Sequence, residues 1–194
     1  DRVSNRYAPH NLYTSIDRLL AAAASHGYTS STYTPIVRKA EKKIETPAAS
    51  AIDIALSSSY YNVHYTYDTA NNSYLRFEGG QAHTDEKSGV QINPKVVVVI
   101  VTDKSQNGIY SVYRTSGSGQ CLVFQDGNVI NGTWTKADDR AQFTFKDAAG
   151  AELKLNAGKT WFTFVGDGSA TTYTPYSVLR TSSLANHQSW QPHA

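Results

Sequence analysis

The sequence predicts a mainly β fold with a minor α part (α+β), an antiparallel β-sandwich or barrel-like sheet preceded by one N-terminal helix. Three observations lead there. The apolar period changes from 3.6 to 2 near Ala51. Short alternating segments then recur about every 8 to 12 residues. Most are separated by turn chemistry, with Asp126-Gly127, Asn131-Gly132, Ala149-Gly150 and Ala157-Gly158 as the punctuation.

Taken in order, residues 1–10 read as irregular. "HNLYTSIDRLLAAAASHGY" then carries a helix signature over about 14–26: Thr14 and Asp17 suit a capping box, and Gly27 suits a left-handed end. Leu12, Ile16, Leu19, Leu20 and Ala23 share one face, and that apolar stripe predicts association with another segment or chain. Thr34-Pro35 and Thr46-Pro47 interrupt the next stretch, which reads as a connection with at most a short helix around Val37 to Ile44. This places 1–50 apart from a β-rich domain at 51–170, with 171–194 as a C-terminal tail.

Within the β-rich part, "AIDIALS" is a strand, and "YNVHYTYD" and "SYLRFEGG" form a hairpin around "TANN". "KVVVVIVTD" is apolar on both faces, so it belongs in the centre, buried between layers. Six more strand segments follow from "IYSVYRTSG" to "KTWFTFVG", the last of which is expected to bury Trp161.

Composition removes several classes of function. Charged residues are 18% of the chain against about 25% in an average domain, and the net charge is +2. The one dense basic run, "RKAEKK" at Arg38 to Lys43, is too short to track a phosphate backbone, so no nucleic-acid partner is expected. The single cysteine, Cys121, excludes an intramolecular disulfide framework and reads as a buried strand thiol. No apolar run approaches the ~18 to 20 residues of a membrane helix. Phosphate-loop, nucleophile-elbow and zinc-helix patterns are all missing from the sequence, and no cofactor or metal is expected.

Of the six histidines, two stand where chemistry is conceivable. His10, beside Asn11 and ahead of the helix, could hold an anion with the help of helix-end amides. His83 follows Gly79-Gly80 and precedes Asp85; the carboxylate could orient the imidazole, or the two could form a metal corner needing a third ligand. Each could equally be a loop histidine bonded to nearby backbone. A shared site of His10, Asn11, His83 and Asp85 requires the loop from Gln81 to be exposed and to reach toward His10.

"APHNLYTS", "YDTANNSYLRFEGGQAHTDEKSGVQI", "TSGSGQCLVFQDGNVINGTWTK" and "LKLNAGKTWFTFV" together resemble the YerB-like bacterial putative lipoproteins, a family of unknown function. The resemblance implies an exported, lipid-anchored protein with an α/β first domain and a β-rich second one. Residues 1–50 would then be a remnant of the first domain, with the anchor and the helix's packing partners upstream. Implied partners are that segment or a second chain, and an envelope polymer or envelope protein. The resulting expectation is an extracytoplasmic, envelope-associated binding module without catalysis. The alternative is a hydrolase or transferase acting on a wall polymer through His83 and Asp85 with His10.

Overall fold

The computed structural model describes residues 1–31 and 33–175. It divides into two units, Asp1–Pro35 and the chain from Ile36 onward. The part of the expected C-terminal tail beyond residue 175 lies outside the described residues.

In the first unit, helix α1 spans Ile16–Ser25. Its N-cap is Ser15, one residue later than the expected Thr14: the Ser15 hydroxyl accepts from the Arg18 N–H at 3.3 Å. Gly27 ends it in the left-handed region at φ +76°, as the sequence predicts. Asp1–Val3 runs back along Asn11–Tyr13, with the Val3 and Tyr13 amides donating to the Asn11 and Asp1 carbonyls. No residue of α1 is buried, and Leu12, Ile16, Leu19 and Leu20 all stand more than half exposed.

The second unit is built on two five-stranded sheets. One contains β2 (Ala51–Ile54), β3 (Val63–Asp68), β4 (Ser73–Glu78), β5 (Gln81–Ala82) and β14 (Thr171–Thr174), in the order β14-β2-β3-β4-β5. The other contains β6 (Val96–Val101), β9 (Gly117–Gln125), β10 (Asn128–Lys136), β11 (Thr144–Asp147) and β13 (Thr160–Val165), in the order β11-β10-β9-β6-β13. Two small ribbons complete it: β7 (Lys104–Asn107) with β8 (Tyr110–Tyr113), and β1 (Arg38–Lys39) with β12 (Leu155–Asn156). Among the described residues the sheets form no closed barrel, so the sandwich alternative holds.

Alternation along β6 explains the packing. Val97 and Val99 enter one apolar cluster with Ile52, Tyr65 and Tyr74 of the first sheet, while Val96, Val98 and Ile100 enter a second with Val123, Trp134 and Phe145. The strand is therefore buried on both faces, as its six apolar residues predict.

Four details differ from the sequence reading. First, β6 pairs parallel with β13, Thr160 opposite Val96, because the β7–β8 ribbon and the β9–β10–β11 meander intervene before the chain returns on the far side of β6. Second, Arg38–Lys39 is a strand parallel to β12 where a short helix was expected. Lys39 is held by Asp126 and Asn156, and β12 offers backbone partners. Third, Thr171–Thr174 is not tail but an edge strand on β2. Fourth, Asn131-Gly132 is no turn but lies inside β10, where a Cβ on Gly132 would sit 2.3 Å from the Lys146 carbonyl oxygen. Gly132→Ala is expected to cost about 1–3 kcal/mol by forcing β10 and β11 apart. An unchanged urea midpoint would reject that steric role.

Candidate functional site

The period of 2 along β4 turns Tyr74, Arg76 and Glu78 toward the opposing sheet. Gly79-Gly80, at φ +56° and +78°, forms a two-residue turn that sets Gln81 opposite Glu78 and Ala82 opposite Phe77. The same register brings His83 beside Arg76, whose carbonyl accepts from the His83 amide at 3.0 Å. From the other sheet, β13 contributes Trp161.

These four side chains form one cluster. The Arg76 side chain is only 5% exposed, and its guanidinium lies 4.3 Å from the Trp161 ring centroid. Its Nη1 donates to Glu78 Oε2 at 2.8 Å and also meets His83 Nδ1. His83 Nδ1 lies 3.3 Å from the same Glu78 oxygen, and the imidazole sets its edge against Trp161 at 5.9 Å between centroids. His83 and Glu78 are each about one third exposed. Arginine can only donate, so where Arg76 bonds to His83 Nδ1 that nitrogen accepts and the proton of the neutral ring is on Nε2. Among the described residues Nε2 has no hydrogen-bond partner. The arrangement thus presents an N–H donor and a carboxylate side by side on a buried arginine. Trp161 is partly buried and packs against the first apolar cluster from the edge strand β13, with one face under Arg76.

Asp85 does not orient His83. Its Oδ1 accepts from the Ser88 amide and the Ser88 hydroxyl, both at 2.8 Å, and these bonds hold its carboxyl below the usual range. It closes a turn. Nor is the loop free to extend: Ile92 N–H donates to the His83 carbonyl, and the amides of Tyr74 and Arg76 donate to the carbonyls of Pro94 and Ile92. His10 and Asn11 belong to the other unit. Asn11 takes a bond from Arg2 Nη1 and gives one to the Val3 carbonyl, so it fastens the terminal segment. His10 is exposed, and its amide donates to the Tyr7 carbonyl.

A second constellation escaped the sequence reading. On the outer face of the first sheet, His64 Nδ1 is 2.8 Å from Asp53 Oδ1 and Nε2 is 3.1 Å from Thr66 Oγ1. The order carboxylate, imidazole, hydroxyl is that of a nucleophilic site, but Thr66 lies mid-strand between β2 and β4. Its neighbouring amides serve the sheet, which leaves no oxyanion donors. Cys121 is likewise unsuited to attack: it is 1% exposed, and burial pushes its thiol up to about 12. Among the described residues no three His, Cys, Asp or Glu side chains gather as a metal set.

Residues 52–162, more than half of the chain, match the family described as "Protein of unknown function (DUF3048) C-terminal domain". The chain belongs to the DUF3048 family. It is 30% identical over 168 residues to the protein named "Putative lipoprotein YerB" of Bacillus subtilis (strain 168), covering 82% of this chain and 49% of that one. The fold is similar to the crystal structure of YerB from Bacillus subtilis, with a TM-score of 0.72 at 23% identity over 88% of this chain and 58% of that one. The chain thus spans about half the length of the curated relative it matches.

The span matched as DUF3048 contains Arg76, Glu78, His83, Asp85 and Trp161, whereas His10 and Asn11 precede it. Among the described residues no helix of this DUF3048 chain is long and apolar enough to cross a membrane.

Proposed function

We propose that this chain is an extracytoplasmic, cell-envelope-associated module that binds a ligand without altering it. The carrying observation is the Arg76 to His83 Nδ1 contact. It occupies the nitrogen that would have to be the donor in a carboxylate-oriented acid–base pair, and it leaves a protonated Nε2 that can donate but not abstract. Beside it, Glu78 offers acceptor oxygens, so hydroxyl and amide groups of an envelope polymer suit the pair. The lipoprotein name of the YerB relative supports the location, and attachment to the membrane would come from an anchor outside these residues. A segment upstream in the same protein, or a second chain, would cover the stripe on α1.

Co-sedimentation with purified cell-wall polymer from Bacillus subtilis tests this reading. The chain is expected to sediment with the polymer, His83→Ala to weaken retention at least tenfold, and His83→Gln, which keeps an N–H donor, to restore most of it. The polymer should emerge with its chain length unchanged. Shortened polymer would install the hydrolase alternative instead, with Glu78 in place of Asp85; no retention at all would remove the polymer as ligand.

A further inference from the structure

A cleft of about 320 Å³ lies at another place in the second unit, lined by Asn71, Ser73, Asn93, Lys95, Gly158 and Lys159. Its polar groups are unequally occupied. The Ser73 hydroxyl is buried, on a residue 1% exposed, and has no hydrogen-bond partner. The half-buried Asn93 carboxamide and the exposed Lys159 ammonium make no hydrogen bond or ion pair either. Lys95 is held by both Glu41 oxygens, at 2.9 and 3.1 Å, and by the Asn71 carbonyl at 2.6 Å, so its three donors are engaged. Asn71 gives an amide hydrogen to Asp68 Oδ2 at 2.6 Å and keeps the other.

Gly158 shapes the place. At φ +109° it adopts a conformation L side chains avoid, and a Cβ there would come within 2.9 Å of Lys95 Cγ. The glycine therefore lets the Lys95 stem lie across the turn into β13. Leaving a buried hydroxyl unpaired costs about 1–3 kcal/mol, so an accompanying acceptor is expected on physical grounds.

The charges fix its sign. Lys95 is balanced by Glu41, whose carboxyl the Lys95 and Asn72 hydrogen bonds hold low, and Asp68 is engaged by Asn71. Lys159 makes no ion pair, and the carboxylate whose charge it feels is Asp85. The Ser73 hydroxyl, the Asn93 and Asn71 carboxamides and the Lys159 ammonium can each donate a hydrogen bond on the lining of this cleft. We propose that this cleft binds a phosphate group, carried as a phosphodiester or as free phosphate. The single negative charge of a diester matches Lys159, and its oxygens accept from Ser73, Asn93 and Asn71. This goes beyond the binding role of the His83 cluster and does not depend on it.

The test is a titration of the full 194-residue chain, followed by ¹H–¹⁵N NMR at constant ionic strength. Inorganic phosphate, glycerophosphoglycerol and sodium acetate are the three probes. Saturable shifts of the Asn93 carboxamide and the Gly158 amide with either phosphate probe are expected, and which of the two binds more tightly identifies the source. Lys159→Met should weaken that binding at least tenfold. Ser73→Ala should weaken it too while leaving the thermal midpoint unchanged or higher, since the hydroxyl it removes has no protein partner; a purely structural serine would do the opposite. Equal response to acetate, shifts that survive Lys159→Met, or no saturable shifts with either phosphate probe would each overturn the proposal.

Discussion

Asp126→Ala is expected to lower the unfolding free energy of the second unit by about 3–5 kcal/mol, the loss typical of breaking a buried charge pair. The Asp126 side chain is 9% exposed and takes Lys39 Nζ at 2.5 Å. Its Oδ1 also accepts from Asn72 Nδ2, Asn156 Nδ2 and the Lys42 amide. Removing the carboxylate strands Lys39 between Asn156 and an apolar gap, and it unfastens the segment after Ile36 from the β9–β10 turn. Alanine would in addition be strained at φ +59°, whereas Asn tolerates that region; Asp126→Asn therefore isolates the charge. Burial alone would raise this carboxyl, but the hydrogen bonds from Lys39, Asn72 and Asn156 outweigh it and hold it down at about 2. A depressed folded-state value contributes stability that is complete above the ordinary 3.8 and is lost as the pH falls from there through about 2. Urea midpoints should fall across that interval in the parent chain and much less so in Asp126→Asn. Parallel pH profiles for the two would show that the carboxylate contributes nothing.

The second large effect is expected at Trp134. It has no exposed surface, donates from Nε1 to the Val101 carbonyl at 2.9 Å and meets Phe143 edge-on at 5.6 Å. Gly119 fits beneath it because any Cβ there would lie 2.7 Å from Nε1. Trp134→Ala leaves both a cavity and an unpaired carbonyl, and should cost about 3–5 kcal/mol. Trp134→Phe fills most of the volume and loses chiefly the hydrogen bond, so its midpoint should fall between the other two. An alanine variant as stable as the parent would mean the second apolar cluster is not a core.

The tryptophans illustrate what the sequence could disclose. Two of the three, Trp134 and Trp161, stand in alternating strands, and nothing local separates the one that ends up with no exposed surface from the one that ends up partly buried on the edge strand β13. That difference is set by which strands become neighbours. The β3–β4 hairpin and the β6 core strand were legible because period 2 and turn residues are local signals. The parallel β6–β13 pair was not, since the residues that meet there are distant in the chain. Part of the candidate site was legible in hindsight: a two-residue Gly-Gly turn fixes Gln81 against Glu78, and counting back along both strands puts His83 against Arg76. Sequence proximity pointed instead to Asp85, whose spacing to Ser88 suits a turn that closes on itself. The basic run "RKAEKK" looked solvated because its partners, Asp126 and Asn156, lie far along the chain.

The parallel partner of Val96–Val101 has a consequence for how the protein is made. Six uncharged β-formers in a row, without Pro or Gly, are the composition of a cross-β segment. One edge of that strand is covered by β9, but the other waits for Thr160–Val165, synthesised about 60 residues later. Until it arrives, the most apolar edge in the molecule offers a row of open N–H and C=O groups to any neighbouring copy. Parallel pairing between distant segments is also slow to form. A chain stopped short of Thr160 is therefore a template for aggregation, and β13 serves the nascent protein as a guard before it serves the folded one as a wall.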